Sequence, residues 1–218
     1  MPDFSYEAAA GCDVICGVDE VGRGPWAGPV LAAAVVFDRP RLPAPLAARI
    51  DDSKKLTRAN REAVAAELPA YARIGIGIAE VTEIQKLNIY WASLQAMLRA
   101  VQALGACPEL ALVDGNAKPP LTCPVRCIVG GDALSLSIAA ASIIAKVTRD
   151  GMMRVLAHEY PGYGFEQHKG YGTAGHRAAL KALGPTPHHR MGFPSVQAVL
   201  AQLSLAFPVL EVSPPGHT

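Results

Sequence analysis

This 218-residue sequence lacks both a long hydrophobic run and an excess of charge. No stretch reaches the roughly 18 consecutive apolar residues of a membrane-spanning helix, because Lys146 and nearby serines interrupt the longest candidate. The net charge is +1, so overall charge favours no particular partner. The first residues, MPDFSYE, lack the basic and apolar leader of a secretory signal. We therefore expect a cytoplasmic protein with no membrane partner.

Cysteine is scarce: the chain has five, an odd number. A chain of this length does not depend on disulfide bonds for its stability. This usage favours a reducing compartment. Cys12 with Cys16, and Cys123 with Cys127, form two C-x-x-x-C pairs that suggest a zinc site. Cys16 and Cys127 lie in or beside apolar strand-like stretches, where cysteine behaves as a small hydrophobe. We therefore favour a structural role for the cysteines over zinc binding.

Charge is uneven along the chain despite the small net value. Between Lys146 and Arg190 there are seven Lys or Arg against three Asp or Glu, and five of the six histidines lie there. This bias permits contact with a polyanion, but it is equally typical of a solvated face. The charge pattern alone leaves both interpretations open.

With 50% apolar residues, the chain can bury one sizeable core, and we expect a monomer. Apolar runs predict strands over 14–18, 29–37, 72–80, 110–115 and 125–131, the first two forming a hairpin. Caps and helical spacing predict helices over 58–68, 89–104, 134–158, 173–183 and 195–203, and 38–52 is predicted to be a loop. The pattern predicts an α/β fold with a central mixed sheet flanked by helices. We divide it into a core over 1–160 and a helical C-terminal portion over 161–218 with a Pro-rich tail.

Acidic residues follow three of the predicted strands, each with glycine close by. Asp19 and Glu20 follow VICGV, Asp114 follows LALV, and Asp132 follows CIVGG. Strand ends that lie side by side in a sheet would bring these carboxylates together. Their mutual repulsion would raise their pKa values unless a cation compensated it. Oxygen-only ligands fit Mg²⁺ or Mn²⁺, and no matching His or Cys cluster argues for zinc.

The adjacent pair Asp19 and Glu20 poses a geometric difficulty, because successive strand side chains face opposite ways. Gly22 and Gly24 would let the chain leave the strand at Glu20 and turn that side chain toward Asp19. The alternative is that the two acids merely begin a surface turn, as acidic residues often do.

Asp150 is a rival to Asp132 for the fourth carboxylate. It lies 18 residues further on, and most of the interval is predicted to be helical. At a rise of ~1.5 Å per residue the two acids are separated by more than about 20 Å, so one site cannot use both. We choose Asp132, which lies at the glycine-flanked entrance of the helix.

The motifs of the chain, taken together, resemble those of the ribonuclease HII family, the type 2 ribonucleases H. They occur in order over nearly the whole chain: GVDEVGRG at 17–24, AGPV at 27–30, DSKKL at 52–56, LVDGN at 112–116, GDALSLSIAAASIIAKVTRD at 131–150, PGYGFEQHKGYGT at 161–173 and GPTPHHR at 184–190. The resemblance implies a ribonuclease H-like fold and Mg²⁺- or Mn²⁺-dependent cleavage of RNA paired with DNA. It also implies nicking of duplex DNA on the 5′ side of single embedded ribonucleotides, by a two-metal mechanism that leaves 5′-phosphate and 3′-hydroxyl ends.

The resemblance also assigns roles to residues. It places the catalytic, metal-binding carboxylates at Asp19, Glu20, Asp114 and Asp132. It places nucleic-acid contacts at Gly22, Arg23 and Gly24, at the Asp52-Ser53-Lys54 element, at Lys146 and at Tyr163. The glycines would let the backbone approach a ribose 2′-hydroxyl, Arg23 would contact phosphate, and the Tyr163 ring would lie against the next sugar.

One departure from the family pattern lies beside Asp132. Gly130 and Leu134 stand where the family commonly carries lysine. We expect their loss to weaken backbone affinity and flatten its salt dependence, without abolishing metal binding. It also motivates an alternative, a non-catalytic hybrid-binding module with the same fold. A sugar-kinase-like phosphotransferase is rejected, because that class needs a second lobe for which this chain has no room.

The segment QLSLAF, Gln202 to Phe207, resembles the short peptides with which bacterial replication proteins bind the sliding clamp. A competing interpretation is that Val196, Val199, Leu200 and Leu203 keep helical spacing, so part of the segment belongs to the core.

Overall fold

The computed structural model of the protein describes residues 1–206, with side chains over residues 1–202. The elements in chain order are α1 (Ser5–Ala8), β1 (Ile15–Val21), β2 (Val30–Phe37), α2 (Ala44–Ala47), α3 (Arg58–Glu67), β3 (Ala72–Ala79), α4 (Val81–Gln102), β4 (Leu110–Asp114), β5 (Val125–Ile128), α5 (Leu136–Glu159), α6 (Phe165–His168), α7 (Ala174–Leu183) and α8 (Pro194–Ala206). Short 3-10 turns cover Arg39–Arg41, Leu68–Ala70 and Gly131–Ala133. None of the helices within residues 1–206 combines the length and apolarity that crossing a bilayer requires.

A five-stranded sheet in the order β3-β2-β1-β4-β5 forms the centre of the molecule. β1 pairs antiparallel with β2, which confirms the predicted hairpin, and β2 pairs antiparallel with β3. β1 also pairs in parallel with β4, and β4 with β5. The predicted mixed sheet is therefore confirmed. The carboxyl ends of β1, β4 and β5 point to one edge of the sheet.

Helices cover both faces of this sheet. α4 packs on one face, where Cys16, Val18 and Met97 share a buried cluster. α5 packs on the other face, close to β1. A Cβ on Gly17 would lie 2.1 Å from the backbone carbon of Ser137, so only glycine permits this contact. Cys16 is fully buried, as expected of a small hydrophobe, and burial raises the pKa of its thiol.

Two local predictions need correction. α4 begins at Val81, earlier than the predicted start at Asn88, because Glu80 and Glu83 form a capping box there. Asn88 adopts a φ of 64° inside the helix, and its Oδ1 accepts from the N–H groups of Tyr90 and Trp91 at 3.0 and 3.3 Å. It therefore caps the second part of a kinked helix. The predicted loop 38–52 contains a 3-10 turn and α2.

Candidate active site

The acids of β1 and β4 meet because of strand register. Val18 pairs with Val113, so Asp19 and Asp114 are the next residues of two neighbouring parallel strands. They open onto a cavity of about 530 Å³ at the edge of the sheet. Its lining residues are Asp19, Glu20, Val21, Ser53, Lys54, Arg61, Asp114, Ser142, Lys146 and Tyr171. Residues distant in sequence thus form one polar pocket.

Asp19 is the most enclosed carboxylate of this pocket, with 6% of its surface exposed. Its Oδ1 accepts from the Glu20 amide at 2.7 Å, and Ser142 of α5 also hydrogen-bonds to its side chain. Burial, and then the charges of Glu20 and Asp114, raise the pKa of Asp19 well above its ordinary value. The pocket therefore crowds carboxyl groups together, which disfavours their anionic forms.

Glu20 lines the same pocket, although β1 does not end there as predicted. The strand continues to Val21, with Glu20 paired to Ala32. The Arg23 Nη1 donates to Glu20 Oε1 at 3.3 Å. Burial raises the pKa of Glu20, while Arg23 opposes that shift. The proposed surface turn is therefore not the local structure, since both acids precede the turn and face the pocket.

Asp114 and Asp132 are joined through the turn that precedes α5. Gly130 adopts a φ of 69° and starts the 3-10 turn Gly131–Ala133. The Gly131 amide donates to Asp114 Oδ1 at 2.7 Å. Burial, more than the nearby charge of Asp132, raises the pKa of Asp114. Asp132 is 6% exposed, and its Oδ2 accepts from the Lys54 Nζ at 2.7 Å.

The donor chemistry of these four acids fits a hard divalent cation, because all their ligand atoms are oxygens. Within residues 1–206, no three Asp, Glu, His or Cys side chains already close around one point as a ligand set. Lys54 forms an ion pair with one of these acids. Its ammonium neutralises Asp132 and lies 3.7 Å from Asp52 Oδ1. Asp19, Glu20 and Asp114 therefore line one pocket, whereas Asp132 is connected to it through Lys54.

The structure also brings Ser53 and Lys146 to the pocket. The Ser53 and Ser142 hydroxyl oxygens lie 2.9 Å apart. The Lys146 Nζ donates to Asp150 Oδ1 at 2.8 Å. Asp150, the rival acid, is therefore a partner of Lys146 on α5 and does not line the pocket.

The Gly22-Arg23-Gly24 element borders the pocket directly after β1. Arg23 and Gly24 are exposed, whereas Gly22 is buried with a φ of 93°. A Cβ on Gly22 would lie 2.3 Å from the Arg149 Nε, so a side chain has no room there. The element therefore presents backbone at the edge of the pocket.

Tyr163, for which the sequence analysis predicts a contact with the next sugar, does not line the pocket. It is 7% exposed, its ring stacks on Phe165, and its hydroxyl donates to the Gly184 carbonyl at 2.6 Å. Tyr171 lines the pocket instead and is 44% exposed, and a Cβ on Gly24 would lie 3.7 Å from its ring. The chain carries Gly-Tyr-Gly at both positions, and the sequence analysis chose the first of them.

Known proteins resemble this chain over most of its length. The family model described as Ribonuclease HII matches residues 16–196. The chain is 58% identical over 196 residues to a Ribonuclease HII of Paramagnetospirillum magneticum, which covers 90% of this chain and 97% of that protein. It is 54% identical over 219 residues to a Ribonuclease HII of Rhodospirillum rubrum, covering 100% of this chain and 96% of that protein.

The fold is also that of a solved structure, the ribonuclease H2 from Pyrococcus horikoshii OT3. The two superpose with a TM-score of 0.73 at 25% identity, over 87% of this chain and 98% of that one. The expected ribonuclease H-like fold is therefore confirmed. With most of its length matched by the family model and by close relatives, this chain belongs to the ribonuclease HII family of ribonuclease H hydrolases.

Proposed function

We propose that this enzyme hydrolyses the RNA strand of RNA–DNA hybrids and nicks duplex DNA on the 5′ side of single embedded ribonucleotides. The products would carry 5′-phosphate and 3′-hydroxyl ends. The observation that supports this most directly is the acidic pocket at the sheet edge. Asp19, Glu20 and Asp114 line it, and Lys54 links Asp132 to it.

Asp19, Glu20, Asp114 and Asp132 would hold the Mg²⁺ or Mn²⁺ ions on which this chemistry depends. Two such ions, when bound, stabilise the attacking and leaving oxygens of an in-line displacement at phosphorus. Burial and mutual repulsion raise the pKa values of Asp19, Glu20 and Asp114 and so disfavour their anionic forms, whereas bound cations would favour those forms. Lys54 would leave Asp132 at the same time.

Cationic and hydroxyl groups on the rim of the pocket would bind the nucleic-acid backbone. Lys54, once it leaves Asp132, can reach a phosphate, and Lys146 and Ser53 lie in the same lining. Arg23, next to Glu20, offers a planar fork for another phosphate oxygen. Phosphate contacts fix the register of the duplex and carry no sequence information, which suits an enzyme that selects the sugar.

Recognition of the ribose would come from the Gly22-Arg23-Gly24 backbone and from Tyr171. Only the 2′-hydroxyl distinguishes RNA from DNA, and close backbone donors can hydrogen-bond it. The Tyr171 ring, beside Gly24 and half exposed, could lie against the sugar of the next nucleotide. We therefore transfer to Tyr171 the role that the sequence analysis gave to Tyr163.

The test is cleavage-site mapping on a duplex that contains one ribonucleotide, with Asp114→Asn as the variant. Loss of an outer-shell partner commonly costs 10–100-fold, so loss of a direct ligand should lower the cleavage rate by more than about 100-fold. Asp38→Asn is the matched control, because Asp38 follows β2 at the opposite edge of the sheet and is exposed. Full activity in Asp114→Asn would contradict the site assignment.

The same assay separates the proposed enzyme from the alternative, a non-catalytic hybrid-binding module. Binding of the duplex without any cleavage in Mg²⁺ or Mn²⁺ would favour that alternative. Cleavage only in long hybrids, with no product at a single ribonucleotide, would restrict the proposed function to hydrolysis of the RNA strand of RNA–DNA hybrids.

We also propose binding to a sliding clamp through the segment that begins at Gln202. The segment lies at the end of α8, and its last residue, Phe207, lies outside the described residues. Deleting residues 202–218 should abolish clamp binding in a pull-down with purified clamp while cleavage of a free duplex persists. Unchanged clamp affinity would dispose of this part of the proposal.

A further inference from the structure

Two fully buried arginines lie directly behind the Gly22-Arg23-Gly24 element. Arg149 on α5 and Arg190 after α7 are both 0% exposed, and we call them the arginine pair. Neither guanidinium is within ion-pair distance of a carboxylate in the described part of the chain. Because arginine is rarely buried without an anionic partner, this arrangement calls for a functional explanation.

The arginine pair binds backbone carbonyls of loop 22–29. Arg190 donates to the carbonyls of Gly22 at 2.5 Å, of Arg23 at 2.8 Å and of Gly28 at 2.8 and 3.0 Å. Arg149 donates to the carbonyls of Pro29 at 3.0 Å and of Ala27 at 3.1 Å. It also donates to the Lys169 carbonyl at 3.0 Å, two residues before Tyr171. A planar group with five fixed donors can gather several carbonyls in this way, and a lysine cannot.

Holding these carbonyls inward sets the direction of the loop amides. In a planar trans peptide the C=O and the following N–H point in opposite directions. With the carbonyls of Gly22 and Arg23 drawn toward Arg190, the amides of Arg23 and Gly24 must point away from it. Both residues are exposed, and within residues 1–206 neither amide is a donor to another group of the protein. Two free donors therefore face outward beside the acidic pocket.

We infer that the arginine pair are positioning residues for sugar discrimination, because they orient the Arg23 and Gly24 amides toward the substrate 2′-hydroxyl. The inference rests on the proposed function for its substrate. Burial, with the neighbouring charge of Arg149, lowers the pKa of Arg190 to about 9, so it stays protonated at neutral pH. Burial lowers the pKa of Arg149 to about 10, so it also remains a cation.

The test compares Arg190→Lys with Arg126→Lys, a conservative change of an exposed arginine on β5. Each is placed in the Asp114→Asn background, and dissociation constants are measured for a duplex with one ribonucleotide and for the same duplex in all-DNA form. We expect Arg190→Lys to reduce the preference for the ribonucleotide by about fivefold per lost hydrogen bond. Affinity for the all-DNA duplex should not change, and Arg126→Lys should leave the preference intact. An unchanged preference in Arg190→Lys would overturn the inference.

A second readout does not depend on the substrate. In ¹⁵N–¹H NMR spectra of the full chain, Arg190→Lys should shift the Arg23 and Gly24 amide signals more than Arg126→Lys does. Unchanged amide signals would overturn the inference, whether or not the wild type cleaves a duplex. Absence of cleavage by the wild type would instead refute the proposed function. If Arg190→Lys does not fold, Arg149→Lys takes its place, since it releases Ala27 and Pro29 of the same loop. Full ribonucleotide preference in that variant, with unmoved amides, would likewise overturn the inference.

Discussion

At the scale of single residues, the two Gly-Tyr-Gly sequences show how the fold gives identical local patterns different roles. Tyr163 is enclosed by Phe165 and by the carbonyls after α7, so its hydroxyl is satisfied internally. Tyr171 stays at the mouth of the acidic pocket. Glycine on both sides makes either tyrosine suited to a tight approach, so local sequence cannot choose between them.

We expect Tyr171→Ala and Tyr163→Phe to separate these roles. Tyr171→Ala should lower the preference for a ribose followed by a deoxyribose, because the ring beside Gly24 is lost, while thermal stability changes little. Tyr163→Phe should retain cleavage and lower the free energy of unfolding by about 1 kcal/mol, the usual contribution of one hydrogen bond. Junction cleavage and urea unfolding measure the two effects. Loss of cleavage in Tyr163→Phe alone would contradict the assignment.

The proximity of Asp19 and Asp114 could be predicted from the sequence, whereas the burial of the arginine pair could not. Asp19 and Asp114 each follow an apolar strand, and parallel pairing of the strands brings their ends together. For Arg190 the sequence predicts exposure, because a charged residue in a basic stretch is normally exposed, yet the residue is fully buried. Its burial depends on carbonyls more than 160 residues earlier in the chain. No local pattern encodes such a contact.

At the scale of elements, a short N-terminal segment stabilises the start of α5. Glu7 of α1 is 2% exposed, and its Oε1 accepts from the Ser135 hydroxyl at 2.7 Å, the Ser137 amide at 3.0 Å and the Ser137 hydroxyl. A carboxylate at a helix N-terminus is favoured by the helix dipole. The family match covers residues 16–196, so Glu7 lies outside it while Ser135 and Ser137 lie within it.

Glu7→Ala should therefore destabilise the fold by about 1–3 kcal/mol, since it removes the acceptor of three hydrogen bonds from buried donors of Ser135 and Ser137. The control is Glu67→Ala, which removes an exposed ion pair with Arg49 worth at most about 1 kcal/mol. Urea unfolding of both variants gives the comparison. Equal unfolding midpoints would mean that α1 does not stabilise α5.

A buried imidazole pair links α7 to the segment after it. The His176 Nδ1 donates to the Tyr171 carbonyl, so its Nε2 must accept from the His189 Nε2 at 3.1 Å. The His189 Nδ1 in turn accepts from the Thr186 amide at 2.9 Å. Both rings are therefore neutral, and a proton on either would face another donor. Burial lowers the pKa of both, that of His189 to about 4.

This pair predicts a loss of stability in mild acid. Between pH 6.5 and about 4, His189 binds a proton in the unfolded chain but stays neutral in the folded protein. The free energy of unfolding should then fall as the pH falls through that window. Urea unfolding at pH 7 and pH 5 should show a smaller pH effect in His189→Gln than in wild type or in His158→Gln, an exposed site on α5. An equal pH effect in all three would refute the prediction.

At the scale of the whole molecule, the active edge combines parts that no single segment contains. In the proposed site, β1 and β4 would supply acids, the turn before α5 would supply Asp132, and loop 22–29 would supply backbone donors held in place by α5 and the segment after α7. For the proposed function, the same edge must also attract a polyanion, although the net charge of the chain is only +1. Affinity for a duplex therefore depends on cations local to the pocket.

A substitution at Leu134 tests whether cations near the pocket determine affinity for a duplex. Leu134 is 42% exposed and ends the turn that carries Asp132, whereas a lysine at Gly130 would be strained by the φ of 69°. Leu134→Lys should tighten binding to an RNA–DNA duplex at low salt and steepen the plot of log affinity against log salt by up to about 0.9. Leu183→Lys, at an exposed position that ends α7, should leave the slope unchanged. Fluorescence anisotropy across a salt series measures both slopes, and identical slopes would mean that the turn beside Asp132 does not contact the duplex backbone.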